Sequence, residues 1–181
     1  MHFIINGDEN AFQELYNRYC KNLLMYYTKM LNYNKTLAED ALQDLFLKIA
    51  EAPEKFDNAR SFKTWIYTIA SNYCKNFYRH NSIVNNKTEE IKYLNTEINE
   101  NEFIKHASKL DAKELSKAIE NSLNELPIEK KEAFILKYQE EKTLEEISLI
   151  QECSVGTVKS RLHYAVKLLE VKLKDYNPNK F

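Results

Sequence analysis

Two glycines and three prolines in 181 residues leave this chain almost without turn chemistry. A sheet needs such residues at nearly every hairpin, so a sheet fold is excluded and an all-α fold of long helices is expected. Cysteine is equally sparse. Cys20, Cys74 and Cys153 are odd in number, far apart and free of any C-x-x-C spacing, as expected of reduced thiols in a cytoplasmic protein. His2, His80, His106 and His163 form no ligand cluster with cysteines or acids, so no metal, no cofactor and no metal-dependent nucleic-acid chemistry are expected. The longest uncharged run of note, Thr64 to Cys74, is far shorter than the roughly 20 apolar residues that span a bilayer, and no membrane insertion is expected. The opening MHFIINGDENAF has no basic segment and meets an acid at Asp8, which argues against a secretory signal. Net charge is −1, so the chain is no bulk polycation and its charge must be read locally.

Local charge and helical spacing stand out most between Thr143 and Leu169. Thr143 with Glu146 makes a capping box that fixes where one helix begins, and Ser154 can cap a second after a three-residue turn. Leu144, Ile147 and Ile150 give the first helix an apolar stripe; Val155, Val158, Leu162, Ala165 and Leu169 give one to the second. From Cys153 to Leu169 there is no acid, against Lys159, Arg161 and Lys167. A wheel centred on Val158 and Leu162 points Gly156, Ser160, His163 and Lys167 outward, with Lys159 and Tyr164 on the flanks and Arg161 nearer the core side. This is the layout of a helix-turn-helix whose second helix reads the major groove, the alternative being a surface helix hairpin with a solvated basic face. Gly156 in a first helical turn costs roughly 1 kcal/mol against Ala. Close approach of a DNA phosphate would explain it.

Upstream, helical spacing of Phe12, Leu15, Tyr16, Tyr19, Leu23, Tyr26, Tyr27 and Met30 predicts one long helix over 10–31. Thr36 with Glu39 predicts a capping box opening a second helix that stops before Pro53. Its outer face is acidic: Glu39, Asp40, Asp44, Glu51 and Glu54 stand against Lys48 alone. Capping explains Glu39 and Asp40 as well as any function does, but it does not reach Asp44. The sign then reverses, because from Asn58 to Thr88 there is no acid, while Arg60, Lys63, Lys75, Arg79 and Lys87 are basic. Within that stretch residues 61–80 read as a helix with Phe62, Trp65, Ile66, Ile69, Tyr73 and Phe77 toward the core and Tyr67, Asn72, Lys75, Asn76 and Arg79 on or near the other side. Cations interleaved with amides and aromatics suit single-stranded nucleic acid. From His80 to about Ser108 the pattern fades into an Asn-punctuated linker with at most a weak helix. A helix opened by Asp111 follows, and Pro127 starts another that leads into the helix-turn-helix.

SVGTVKSRLHYAVKLL resembles the recognition helix of bacterial RNA polymerase sigma factors of the extracytoplasmic-function group. GDENAFQELYNRY, AEDALQDLFLKI and FKTWIYTIASNYCKNFYR are similar to successive segments of that family's region two, and LNELPIEKKEAFILKY with the helix-turn-helix to its region four. The resemblance implies two small helical domains, residues 1–80 and 109–175, joined by a flexible linker at 81–108 and followed by a tail at 176–181. It implies a cytoplasmic, non-enzymatic subunit that binds core RNA polymerase and promoter DNA, with an anti-sigma factor as a further partner it allows. Region two would open the minus-ten element and region four would read the minus-thirty-five element. By matching position, Asp40, Gln43 and Asp44 would dock on polymerase. Asn72 and the loop 56–61 would handle a flipped-out base, with Arg60, Lys75 and Arg79 along the strand, while Thr157, Lys159, Ser160, His163, Tyr164 and Lys167 would face the upstream element. Three residues depart from the family pattern: Glu152 where Gly is frequent in the turn, Gln151 where an apolar residue is usual, and Tyr164 in place of a frequent Arg. TLEEI and GTVK also resemble LuxR-type regulators, so a stand-alone regulator is the rival reading.

Overall fold

The computed structural model describes residues 1–58, 61–89 and 112–174. Among the described residues the chain forms eight α-helices and no strand: α1 His2–Ile5, α2 Glu9–Met30, α3 Lys35–Glu51, α4 Phe62–Glu89, α5 Ala112–Asn124, α6 Ile128–Tyr138, α7 Leu144–Ile150 and α8 Val155–Lys172. A short 3-10 turn, Pro53–Lys55, follows α3.

The helix starts follow local hydrogen-bonding chemistry. Asp8 caps α2 by accepting from the Ala11 amide at 3.0 Å. At α7 both arms of the capping box form, Thr143 Oγ1 accepting from the Glu146 amide and Glu146 Oε2 from the Thr143 amide. Ser154 Oγ accepts from the Thr157 amide to open α8. The start of α3 differs from the expected Thr36–Glu39 box: Asn34 is the cap, accepting from the Leu37 amide at 3.1 Å. The amide side chain is the equal of any cap, and Glu39 is drawn instead to Lys35 one turn back, at 3.6 Å. Helix α4 runs on to Glu89, past the His80 at which the apolar pattern fades. The expected Asp111 cap and the rest of the expected linker lie outside the described residues.

Helices α2, α3 and α4 form the N-terminal half and α5 to α8 the C-terminal half. The two are packed together. One apolar core runs through both, from Leu23, Tyr26, Met30, Leu45, Ile49 and Ile66 on one side to Ala133, Ile135, Leu136, Ile147, Ile150 and Val158 on the other. A smaller cluster, Leu123, Leu126, Ala165 and Leu169, ties α5 to α8. Tyr67 corrects the sequence expectation. Placed near the outer side of α4 by its spacing, it is 1% exposed and its hydroxyl donates to Glu140, because the C-terminal half covers that side of the helix.

The seam between the halves is polar as well as apolar. The Tyr26 hydroxyl donates to Glu132 Oε1 at 2.6 Å, and the other Glu132 oxygen accepts from Gln151 Nε2 at 2.9 Å. Lys131 Nζ donates to Asn32 Oδ1 and Asn124 Oδ1, each at 2.8 Å, and to the Met30 carbonyl at 3.4 Å. Its charge thus sits at the C-terminal end of α2, where the helix dipole favours a cation. Asn32 and Tyr33, at φ 55° and 61°, are both left-handed after α2, and the Asn32 amide also accepts from the Tyr78 hydroxyl at 3.0 Å. Lys142 lays its ammonium over the Tyr67 ring, 3.8 Å from the centroid.

Burial pushes the Lys131 ammonium from 10.5 down to about 8, and burial together with the neighbouring Lys63 charge does the same to Lys142. A lysine that is a weaker base when folded costs the fold most below pH 8, where it is charged in both states. That cost fades as pH rises from 8 toward 10.5. Tyr26 and Tyr67, held well above 10.0 by burial, act oppositely above pH 10, and the buried Cys74 thiol, held well above 9.0, does so from about pH 9, because only the unfolded groups ionise there. Denaturant unfolding at pH 7.5 and 9.5 is therefore expected to show the wild type gaining stability, and Lys131→Met is expected to gain about 1 kcal/mol less. An equal gain in the two proteins would contradict this account of Lys131.

Candidate nucleic-acid interface

Helix α8 divides cleanly. Val158, Leu162, Ala165 and Leu169 are buried, while Thr157, Lys159, Ser160, His163, Tyr164 and Lys167 are all exposed. Arg161 lies between the two faces, as its place on the wheel predicts: its Nη1 donates to Gln151 Oε1 at 2.7 Å and to Cys153 Sγ at 3.4 Å. Gly156 is exposed, and a Cβ there would meet only Ser154 Oγ, at an ordinary 3.6 Å. The fold itself does not require glycine at that point.

The turn between α7 and α8 is closed by the Cys153 amide donating to the Ser148 carbonyl at 3.0 Å and the Glu152 amide to the Leu149 carbonyl at 3.3 Å. That is a Schellman motif with Glu152 in the left-handed position, φ 53°, where glycine is the unstrained choice. Gln151, unusual in its polarity, is 5% exposed and fully used, donating to Glu132 and to the Glu129 carbonyl and accepting from Arg161.

On α4, Asn72 and Arg79 are exposed and Lys75 is half-buried. Asn72 borders an open groove of about 530 Å3 with Lys48, Ile69, Tyr73, Asn76 and Phe77 among its walls. This lies within the size range of small-molecule sites, roughly 300–1,000 Å3, and combines an apolar floor with a few amides and a cation. Phe56, Phe62 and Trp65 pack edge-to-face or tilted at centroid distances of 5.2 to 5.5 Å beside the start of α4. Arg60 lies outside the described residues, as does part of the loop 56–61. On α3, Asp40, Gln43 and Asp44 are all exposed on one side, with Leu47, 54% exposed, one turn further along. Asp44 and Asp40 lie close enough to Tyr73 to push its phenol pKa up, behind burial as the main cause.

A helix-turn-helix whose second helix turns Lys159, His163 and Lys167 outward, behind a helical half with an acidic face and an amide-bordered groove, defines a promoter-recognition architecture. The Sigma-70 region 2 family model matches residues 15–83 and the Sigma-70 region 4 model residues 116–169. The chain is 31% identical over 180 residues to the ECF RNA polymerase sigma factor SigW of Bacillus subtilis, covering 93% of this chain and 92% of that one. It is 28% identical over 171 residues to the ECF RNA polymerase sigma-E factor of Haemophilus influenzae, covering 92% and 89%. Its fold resembles the sigma factor RpoE of Bartonella quintana, solved in complex with the anti-sigma factor NepR, with a TM-score of 0.70 and 22% identity over 91% of this chain and 97% of that one. CnrH, solved with the cytosolic domain of CnrY, also gives a TM-score of 0.70, at 21% identity over 97% and 96%. The chain belongs to the extracytoplasmic-function RNA polymerase sigma factors. A stand-alone regulator would need a sensing domain where the region 2 match lies, so that rival falls away.

Two features escaped sequence reasoning. Lys130 lies over the ring of Tyr164, and Glu132 joins the halves. Both link residues far apart in the chain, and no local spacing marks them.

Left-handed strain at Glu152 costs about 1 kcal/mol. Glu152→Gly is therefore expected to raise the melting temperature by about 2–4 °C. An unchanged or lower melting temperature would mean that the Glu152 side chain contributes more than the strain removes.

Proposed function

We propose that this sigma factor divides its work between residues 1–80, which bind core RNA polymerase and open the minus-ten element, and residues 109–175, which read the minus-thirty-five element. Residues 81–108 serve as the linker and 176–181 as a tail. The protein works in the cytoplasm with core polymerase, has no catalytic activity of its own, and is a target for an anti-sigma factor. Among the described residues no helix is long and apolar enough to cross a membrane. The observation that carries the reading is the segregation on α8, six polar or basic side chains outward over a buried apolar stripe.

In this reading the N-terminal turns of α8 enter the major groove, where Thr157, Lys159, Ser160 and His163 meet base edges and Lys167 meets the backbone. Lys159 is a candidate for a guanine edge, whereas Arg161, tied to Gln151, is committed to the protein. The acidic face of α3, Asp40, Gln43 and Asp44, docks on polymerase around exposed Leu47. Replacing Asp40 and Asp44 together with lysine is expected to weaken core binding at an unchanged melting temperature; unchanged affinity would remove the docking assignment.

The groove beside Asn72 takes the extruded base, with Lys75, Arg79 and Arg60 along the strand. Three cations from Ser61 to Arg79, namely Lys63, Lys75 and Arg79, hold duplex DNA weakly at physiological salt. Extruding a base costs a few kcal/mol, so the groove captures one only after polymerase has placed the duplex against it. Asn72→Ala is accordingly expected to slow opening of a paired promoter by the holoenzyme far more than it weakens core binding, with partial recovery on a template already unpaired across the minus-ten element. Wild-type opening kinetics on the paired template would sink this role for Asn72.

A further inference from the structure

Lys130, in the first turn of α6, holds its ammonium over the Tyr164 ring of α8, with Nζ 3.3 Å from the centroid. Tyr164 is 46% exposed and Lys130 is half-buried, so the pair lies at the surface. Among the described residues no carboxylate forms an ion pair with this lysine. The negative face of the ring attracts the cation and fixes the end of a flexible stem, which lowers the ordering cost when an anion binds.

Position decides what kind of anion fits. Tyr164 lies in the third turn of α8, beyond Thr157, Lys159 and Ser160, on the flank toward α6. When the N-terminal turns of a recognition helix meet base edges, a side chain reaching over this flank from a neighbouring helix meets the groove wall, where phosphates run. An ammonium is a compact point charge without a planar fork, which suits a phosphate oxygen.

We propose that Lys130, seated on the Tyr164 ring, is a phosphate contact of the DNA-reading surface, and that Tyr164 positions the ammonium rather than reading a base. This rests on the reading of α8 given above. In the test, holoenzyme assembled from core polymerase and the full chain selects a duplex from a random-sequence pool. Binding of that duplex is then followed from about 50 to 200 mM salt.

Each phosphate neutralised contributes about −0.9 to the slope of log Kobs against log salt. Lys130→Ala and Tyr164→Ala should each make the slope shallower by about 0.9, and to the same extent on every single-base variant of the duplex. Tyr164→Phe, which keeps the ring, should keep the wild-type slope. A wild-type slope in Lys130→Ala overturns the proposal and leaves the reading of α8 standing, since the wild type still selects its duplex. Discrimination lost at a single base pair overturns the phosphate assignment, and a Tyr164→Phe slope as shallow as that of Tyr164→Ala overturns the role of the ring. If the wild-type holoenzyme selects no sequence, the reading of α8 fails and takes this proposal with it.

Discussion

The carboxyl group of Glu132 is the joint on which the arrangement of this protein depends. It is 1% exposed, and its two oxygens are met from opposite directions by the Tyr26 hydroxyl of α2 and the Gln151 amide of the helix-turn-helix turn. A buried carboxyl left without partners costs several kcal/mol, whereas one with both oxygens hydrogen-bonded is tolerated. Each partner lost leaves a buried group unsatisfied at about 1–3 kcal/mol. The bonding continues through Gln151 Oε1 to Arg161, so a single run of side chains reaches from the N-terminal half to the recognition helix. A hydrocarbon in place of Gln151 would leave Glu132 Oε2 without this partner and Arg161 with Cys153 Sγ alone.

With the inner faces of the helices committed to that seam, the chemistry directed outward is segregated by helix. The acidic face of α3, the groove beside Asn72 and the basic face of α8 all remain exposed while Tyr26, Tyr67, Lys131 and Lys142 are buried between the halves. The bulk charge of −1 conceals this division. Acids line the α3 surface assigned to polymerase and are absent from residues 62–88 and 155–169 of the two helices assigned to DNA, so one chain can hold two partners of opposite character.

Much of this was legible in the sequence because it is local. The caps at Thr143 and Ser154, the apolar stripes of α7 and α8, and the outward set on α8 follow from spacings of three and four residues, and the structure reproduces them. The left-handed backbone at Glu152 was legible only in part, through the resemblance that puts Gly at this place in the turn. What escaped was tertiary. Tyr67 sits near the outer side of an isolated α4 and turns inward only because a second half covers it. Lys131 and Glu132 lie side by side on a short helix, 2% and 1% exposed, and nothing in their sequence neighbourhood marks them as buried. At α3 the expected Thr36 cap gives way to Asn34 two residues earlier, whose side chain accepts from the Leu37 amide.

The most direct measurement is transcription in vitro from a pool of random-sequence templates, comparing core RNA polymerase alone with core polymerase plus this protein. The account predicts transcripts starting at discrete sites only when the protein is present, with a shared upstream and minus-ten sequence among the templates used. Identical transcripts from core polymerase with and without the protein would contradict it.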